Sequence, residues 1–373
     1  MIKTAVIGVV LSVSALAADF ESTVENSNFT LYAPLDGTGV SKLYNTNRLR
    51  LSGHLREGNW FASAIGDVKN ILGRDTINRA SYTMSSSVRS DTPFSTQTGT
   101  SNYTEGEAYA QLYRLYGGYG DEKHRLTVGL QKVSMGVGRI WNPTDLFNPK
   151  NPLALEPDEV FGVYALSYAY SPSSLSQITA VAAERADKSM KYAGRVKGYL
   201  GFADAAVDIV SADDVRMIGY ELEGELSDTG IELRSEGGWF DDRLLHQQFF
   251  QWVLGADYAF ENSLMIIGEW LHTSRTFDRE IALRSLSGAP NNLVRARDYG
   301  AVSLGYQFDP LLYAALTTIL SADDGSFYTG PSFRYSFSDD ASLGIGAMFY
   351  GGKKGSEFGD FGQTYYLNIK ATF

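Results

Sequence analysis

The chain has 373 residues, 44% hydrophobic, 13% aromatic and 20% charged, with 38 Gly and no Cys. Without Cys there is no disulfide framework, thiol nucleophile, Cys-ligated zinc or iron–sulfur cluster, and the apolar and aromatic content excludes disorder. The balance of 32 Lys+Arg against 43 Asp+Glu gives −11, which a phosphate backbone would repel, so nucleic acid is excluded as a partner.

Residues 1–17, MIKTAVIGVVLSVSALA, carry Lys3, then an apolar run from Ala5 to Leu16, then Ala15-Leu16-Ala17. A positive start, a short apolar stretch and a small-x-small site predict a secretory signal peptide. This is the one long apolar run, so a helical membrane bundle, which needs repeated runs of about 20 residues, is excluded. Residues 18–373 are expected to form one domain.

From residue 20 the dominant period is two, the period that sends successive side chains to opposite faces of a strand. Residues 20–32 show it weakly, since Val24 does not continue cleanly to Phe29 and Leu31. Leu49, Leu51 and Leu55 then alternate with Arg48, Arg50, His54 and Arg56. Leu126 and Val128 alternate with Arg125 and Thr127; Ile218, Tyr220 and Leu222 with Glu221, Glu223 and Glu225. The pattern persists to the end, where Tyr365, Leu367, Ile369, Ala371 and Phe373 share one face. Short turns, such as Glu57-Gly58-Asn59, alternate with long links at 73–105, 134–159, 275–298 and 352–363.

Strands of about 10 residues, short turns on one side and long loops on the other are the signature of a transmembrane antiparallel β-barrel. A sheet in lipid must close, because an open edge would leave backbone groups unpaired. A soluble β-sandwich also alternates, but does not explain the strand length or the aromatics near strand ends. About eighteen strands are expected, with sixteen the other even count, and either leaves a water-filled lumen. Pro331 cannot donate to a ladder, which predicts a bulge or a strand end there.

The chain resembles bacterial outer-membrane β-barrel proteins of the porin-like family. The terminal strand closing on Phe373 is similar to the signal read by the outer-membrane insertion machinery, carried by Tyr365, Leu367, Ile369 and Phe373. The stretch from Gly138 to Pro152, GRIWNPTDLFNPKNP, is similar to one found in porin-like outer-membrane proteins. The resemblance implies a bacterial outer-membrane location and passive diffusion of small hydrophilic solutes. Expected partners are outer-membrane lipid, lipopolysaccharide and the insertion machinery, with the oligomeric state open between monomer and homotrimer. No cofactor or metal is implied.

The third outer loop folds into the barrel in general porins, and here that loop is 134–159. It holds Pro143, Pro149, Pro152 and Pro157, which stiffen it, and the charges Arg139, Asp145, Lys150, Glu156, Asp158 and Glu159. Arg139, Asp145, Glu156, Asp158 and Glu159 are the candidates for a constriction. Strand parity supplies lumen charges: Arg48, Arg50 and Arg56; Arg195 and Lys197; Glu221, Glu223 and Glu225. A basic side chain facing lipid would cost about 2–4 kcal/mol at the midplane, so these point inward. The loop at 275–298, with Arg275, Arg279, Arg284, Arg295 and Arg297 against Asp278, Glu280 and Asp298, reads as a solvated surface facing lipopolysaccharide phosphates.

The main alternative is a plugged barrel acting in binding, export or assembly. A remote one is a rim hydrolase using His246 beside Asp241 and Asp242. No HExxH, G-x-S-x-G, Walker A or EF-hand pattern occurs, and an enzyme is not expected.

Overall fold

The computed structural model describes residues 19–34, 42–73, 90–277 and 294–373. The leader lies outside the described residues, as do Arg279, Arg284, Asp278 and Glu280. In chain order the strands are β1 (Asp19–Ala33), β2 (Lys42–Glu57), β3 (Trp60–Leu72), β4 (Gln97–Tyr103), β5 (Gly106–Gly120), β6 (His124–Gln131) and β7 (Val163–Ser173). They continue as β8 (Ser176–Glu184), β9 (Met190–Tyr199), β10 (Asp204–Ser211), β11 (Val215–Glu225), β12 (Ile231–Asp242) and β13 (Gln247–Ala259). The last are β14 (Leu264–Thr273), β15 (Asp298–Gln307), β16 (Leu312–Ser321), β17 (Phe327–Ser338), β18 (Ala341–Gly351) and β19 (Thr364–Thr372).

Eighteen of these strands form a closed antiparallel barrel. Closure joins the first and last strands, from Glu25 opposite Thr372 to Tyr32 opposite Tyr365. The remaining strand, β4, lies within the 73–105 link, where the sequence suggests only a long loop. It pairs with the first half of β5 (Tyr103 opposite Gly106), while β6 takes the second half (Leu115 opposite Leu130). β3 runs along the other edge of β5 throughout, so β4 stands in line with β6 and adds no place to the ring.

The period of two explains the wall. Outward side chains are apolar: on β11, Ile218 is 59% exposed, whereas its inward neighbour Glu221 is 2% exposed. That layout is favourable only if hydrocarbon, not water, surrounds the barrel. Aromatic pairs mark both ends of the wall. Trp60 meets Tyr119 at 5.3 Å near the short turns, and Trp252 meets Trp270 at 5.8 Å toward the opposite end. The first described residue and the C-terminal residue lie at the short-turn end, Asp19 opposite Arg56 and Phe373 bonded to Val24 through both backbone groups. The long connections all leave the other end, interspersed with short ones at 185–189, 212–214, 243–246 and 322–326.

Pro331 corrects one expectation. It sits in mid-strand, opposite Leu316 of β16. Toward β18 the ladder runs from Thr329–Phe349 to Ser332–Gly346 with unchanged register, skipping two residues. The missing N–H is tolerated by a gap in pairing, and the register shift of β17 falls instead between Ser336 and Ser338.

The apolar core is not inside a sheet sandwich, because a barrel has none. It forms where residues 132–162, between β6 and β7, pack on the inner wall. Val133, Met135, Leu146 and Phe147 meet Val163, Val181, Val210, Met217 and Phe240. Ile140 and Trp141 meet Val253, Leu271, Tyr299, Ile319 and Tyr328.

Candidate functional site

The segment 132–162 touches walls that face each other. Around the ring β2 and β12 are nine places apart, and polar atoms of the segment bond to both.

At the β12 side the contact is main chain to carboxylate. Glu236 accepts the N–H groups of Val137 and Gly138 (2.8 Å for the latter), and the N–H and hydroxyl of Thr144 at 3.2 Å each. Glu269 of β14 accepts from the N–H groups of Arg139, Ile140 (2.8 Å) and Trp141 (3.1 Å). Glu221 of β11 takes the N–H of Gly136 at 2.6 Å. Every backbone N–H from Gly136 to Trp141 is therefore donated to a wall carboxylate, a concave array of donors of the kind that binds anions. The wrap depends on two glycines. Gly136 has φ +86, and a Cβ there would lie 2.5 Å from a Glu236 oxygen. At Gly138 a Cβ would lie 1.7 Å from the Trp141 carbonyl oxygen.

At the β2 side the contact is side chain to side chain. Arg48 binds Glu156 through two bonds of 2.9 Å, and also reaches Glu25 at 3.1 Å and Glu159 at 3.5 Å. Arg50 grips Asp67 of β3 (2.7 and 3.0 Å) and Glu159 (2.9 and 2.8 Å), with its guanidinium 3.8 Å from the Tyr113 ring centroid. Burial alone would raise the Glu159 carboxyl, but Arg50 and Arg48 more than reverse that and hold it below its ordinary value.

The other sequence candidates separate into groups. Arg139 is half exposed and reaches Glu223 at 3.2 Å and Glu232 at 3.3 Å. Arg195 pairs with Glu221 and lies 3.5 Å from Asp208. Lys197 pairs with Asp204 at 2.8 Å. Asp158 is exposed, as is Arg56. Tyr365, Leu367 and Ile369 are on the outer face of β19, and Phe373 is exposed beyond it.

Two candidates need correction. Asp145 is 1% exposed, so it cannot present charge to a solute. Its carboxylate accepts the N–H groups of Met135, Phe147 and Asn148 and the Asn142 amide, folding the segment on itself. Burial pushes its carboxyl up to about 6. Glu225 lies at the end of β11 and accepts the N–H of Gly230 at 2.8 Å, which places it in the turn. Of the rim set, Asp242 accepts the N–H of Leu245 and Asp241 accepts from Gln248; both bonds organise the turn that carries His246.

Sequence reasoning passed over Glu236, Glu269 and Arg234 as site residues. Arg234 is 1% exposed and pairs with Asp257. Parity already places all three inward, since each alternates with outward residues such as Leu233 and Trp270. What parity cannot give is the partner, which comes from a segment about 100 residues away (99 from Val137 to Glu236). The inner wall of β15–β18 contrasts with this charged half. Its middle carries Ser303 bonded to Thr317 (3.0 Å), Ser332 and the glycines Gly344 and Gly346.

No family model matches the chain, and no curated protein matches it. Solved structures do. Acinetobacter baumannii OccAB4 superposes with a TM-score of 0.63 at 10% identity, over 95% of this chain and 98% of that one. Pseudomonas aeruginosa OccK9 (OpdG) gives 0.63 at 10% identity over the same shares. Pseudomonas aeruginosa OpdK, solved with vanillate, gives 0.56 at 9% identity, again over 95% and 98%. The chain shares the fold of these proteins, of which OpdK is described as an outer-membrane protein.

Proposed function

We propose that the protein is a bacterial outer-membrane channel through which small hydrophilic solutes diffuse passively, with residues 132–162 narrowing the lumen. One observation carries this reading: the segment is anchored at places nine apart on the ring and packs apolar side chains on the wall between them, so it occupies the lumen at that level. Long loops without secondary structure of their own are usually functional, and barrels of this strand count hold a water channel unless something fills it. Arg139, Glu223 and Glu232 on one side, and Arg48, Arg50, Glu156 and Glu159 on the other, place charges of both signs beside the path, where they orient solutes as they pass. The hydroxyl and glycine wall of β15–β18 offers the neutral side of the path.

The same reading assigns the leader to export and the terminal strand to recognition by the insertion machinery. The outer-rim arginines Arg275, Arg295 and Arg297 face lipopolysaccharide phosphates. A plugged barrel is the second reading, favoured by how fully the segment packs on the β7–β19 wall.

The test is conductance of the refolded mature protein in a planar bilayer, with the reversal potential under a salt gradient. Stepwise, long-lived openings are expected. Silence from a barrel whose gel mobility is heat-modifiable would overturn the channel and leave the plug.

A further inference from the structure

The outer face of β1–β3 breaks the apolar belt. Asn26, Asn28 and Thr30 of β1, Asn45 and Asn47 of β2, and Asn70 of β3 all have outward parity and adjoin across the ladders. Their depth is fixed by register with β19. Thr30, Asn28 and Asn26 stand opposite Leu367, Ile369 and Ala371, between the Tyr32–Tyr365 pair above and Phe373 beside Val24 below. The island is therefore at mid-wall, not at the headgroup level. Elsewhere on the described wall, mid-strand outward polar groups are hydroxyls that settle on a neighbour, as Tyr220 does with Ser235 (3.1 Å) and Thr318 with Thr329 (2.9 Å).

The asparagines satisfy one another only in part. Asn28 and Asn45 exchange both amide bonds (3.1 and 2.9 Å), and Asn45 also donates to Thr30 at 2.8 Å. Asn26 donates to the Asn47 oxygen at 2.8 Å. The Asn47 Nδ2 donor and the Asn26 Oδ1 acceptor have no partner among the described residues. In hydrocarbon an unfilled amide is costly, because no water can replace the missing bond.

We infer that this face is covered by a second copy of the chain, in a two-fold pair whose axis runs along the membrane normal. The inference rests on the outer-membrane reading above. Two copies inserted the same way present every residue at the same depth, so a two-fold axis brings the island onto itself. Each asparagine amide is both donor and acceptor, and an isologous contact needs a self-complementary patch. Lipid tails supply neither donor nor acceptor at this depth.

The absence of Cys from the chain makes the test clean, because a single introduced thiol can form a disulfide only with another molecule. In native outer membranes, Asn47→Cys is expected to give a covalent homodimer on mild oxidation. Ile218→Cys, outward on β11 at the opposite wall from β1, is expected to stay monomeric. The unaltered protein in nanodiscs is expected to show twice its single-chain protein mass. The triple change Asn28→Leu, Asn45→Leu, Asn47→Leu is expected to halve that mass while heat-modifiable mobility and conductance persist. Monomeric mass with no Asn47 cross-link, equal cross-linking at Ile218, a threefold mass, or a cross-link to a different protein would each overturn the inference. Conductance from a monomer would sink this inference alone, whereas silence from a dimer would sink the channel alone.

Discussion

The two attachments of the segment 132–162 are built from opposite materials. On the β11–β14 side, buried carboxylates fixed on the wall receive main-chain N–H groups, so the contact depends on the path of the backbone. On the β2 side, arginines fixed on the wall receive the side chains Glu156 and Glu159, whose charged groups are 31% and 28% exposed. A main-chain contact positions the chain and tolerates little movement. An ion pair whose carboxylate end water reaches is weaker, salt-sensitive and free to re-form. One end thus behaves as a clamp and the other as a tether.

Breaking the clamp should have the largest effect. Glu236→Ala leaves the N–H groups of Val137, Gly138 and Thr144 without their acceptor in a buried site, at about 1–3 kcal/mol for each orphaned donor. Single-channel conductance is expected to change severalfold and become noisy, with the barrel still heat-modifiable. A trace identical to the parent's would mean that the carboxylate does not hold the segment. Glu236→Gln keeps the shape but turns a donor toward donors, and should fall between the two.

Cutting the tether should matter less. Glu156→Gln removes one charge from the Arg48 cluster, a change of about 0.2–1 kcal/mol for pairs that water reaches. A modest conductance shift is expected at low salt, disappearing at about 1 M, where screening acts within about 3 Å. A shift as large as that of Glu236→Ala, or one indifferent to salt, would erase the distinction between the two ends.

Acid should produce the smallest and latest change. Because Glu159 is held below its ordinary value, its attachment is fully present above the usual glutamate range near about 4.3 and is lost only as pH falls through its depressed value. Conductance of the parent, recorded from pH 7 downward, is expected to stay level to about 4.5 and to drift only below that. A transition nearer pH 6 would point to Asp145, whose carboxyl is raised by burial, as the group that matters.

The wall was largely legible in the sequence because parity is a local property. A greasy face and a polar face can be read from any strand taken alone, and the inward positions of Arg48, Arg50, Arg195 and Glu221 follow. The segment 132–162 was legible as a candidate from its prolines and charges, but not its fastening. Asp145 reads as a free charge until the turn that buries it is known, and Glu236 and Glu269 find partners only when distant chain comes to them. The weak alternation of residues 20–32 has a physical cause of its own. Asn26, Asn28 and Thr30 occupy the outward positions that leucine or valine would fill in an ordinary strand, so the signal fades where the surface is polar.

The seam between β1 and β19 imposes an order on assembly. Asn368 of β19 reaches back to Ser27 and to the Asn28 carbonyl, so the ring stays open until the end of the chain has arrived. The polar anchors of the segment 132–162, on β2 and β11–β14, all precede β19 in the chain. The segment can settle against them from an open, curved sheet, whereas threading it into a finished cylinder would require dragging charged side chains through the mouth. Sealing the seam then encloses the segment, and freeing it again would require undoing its own attachments or reopening the wall.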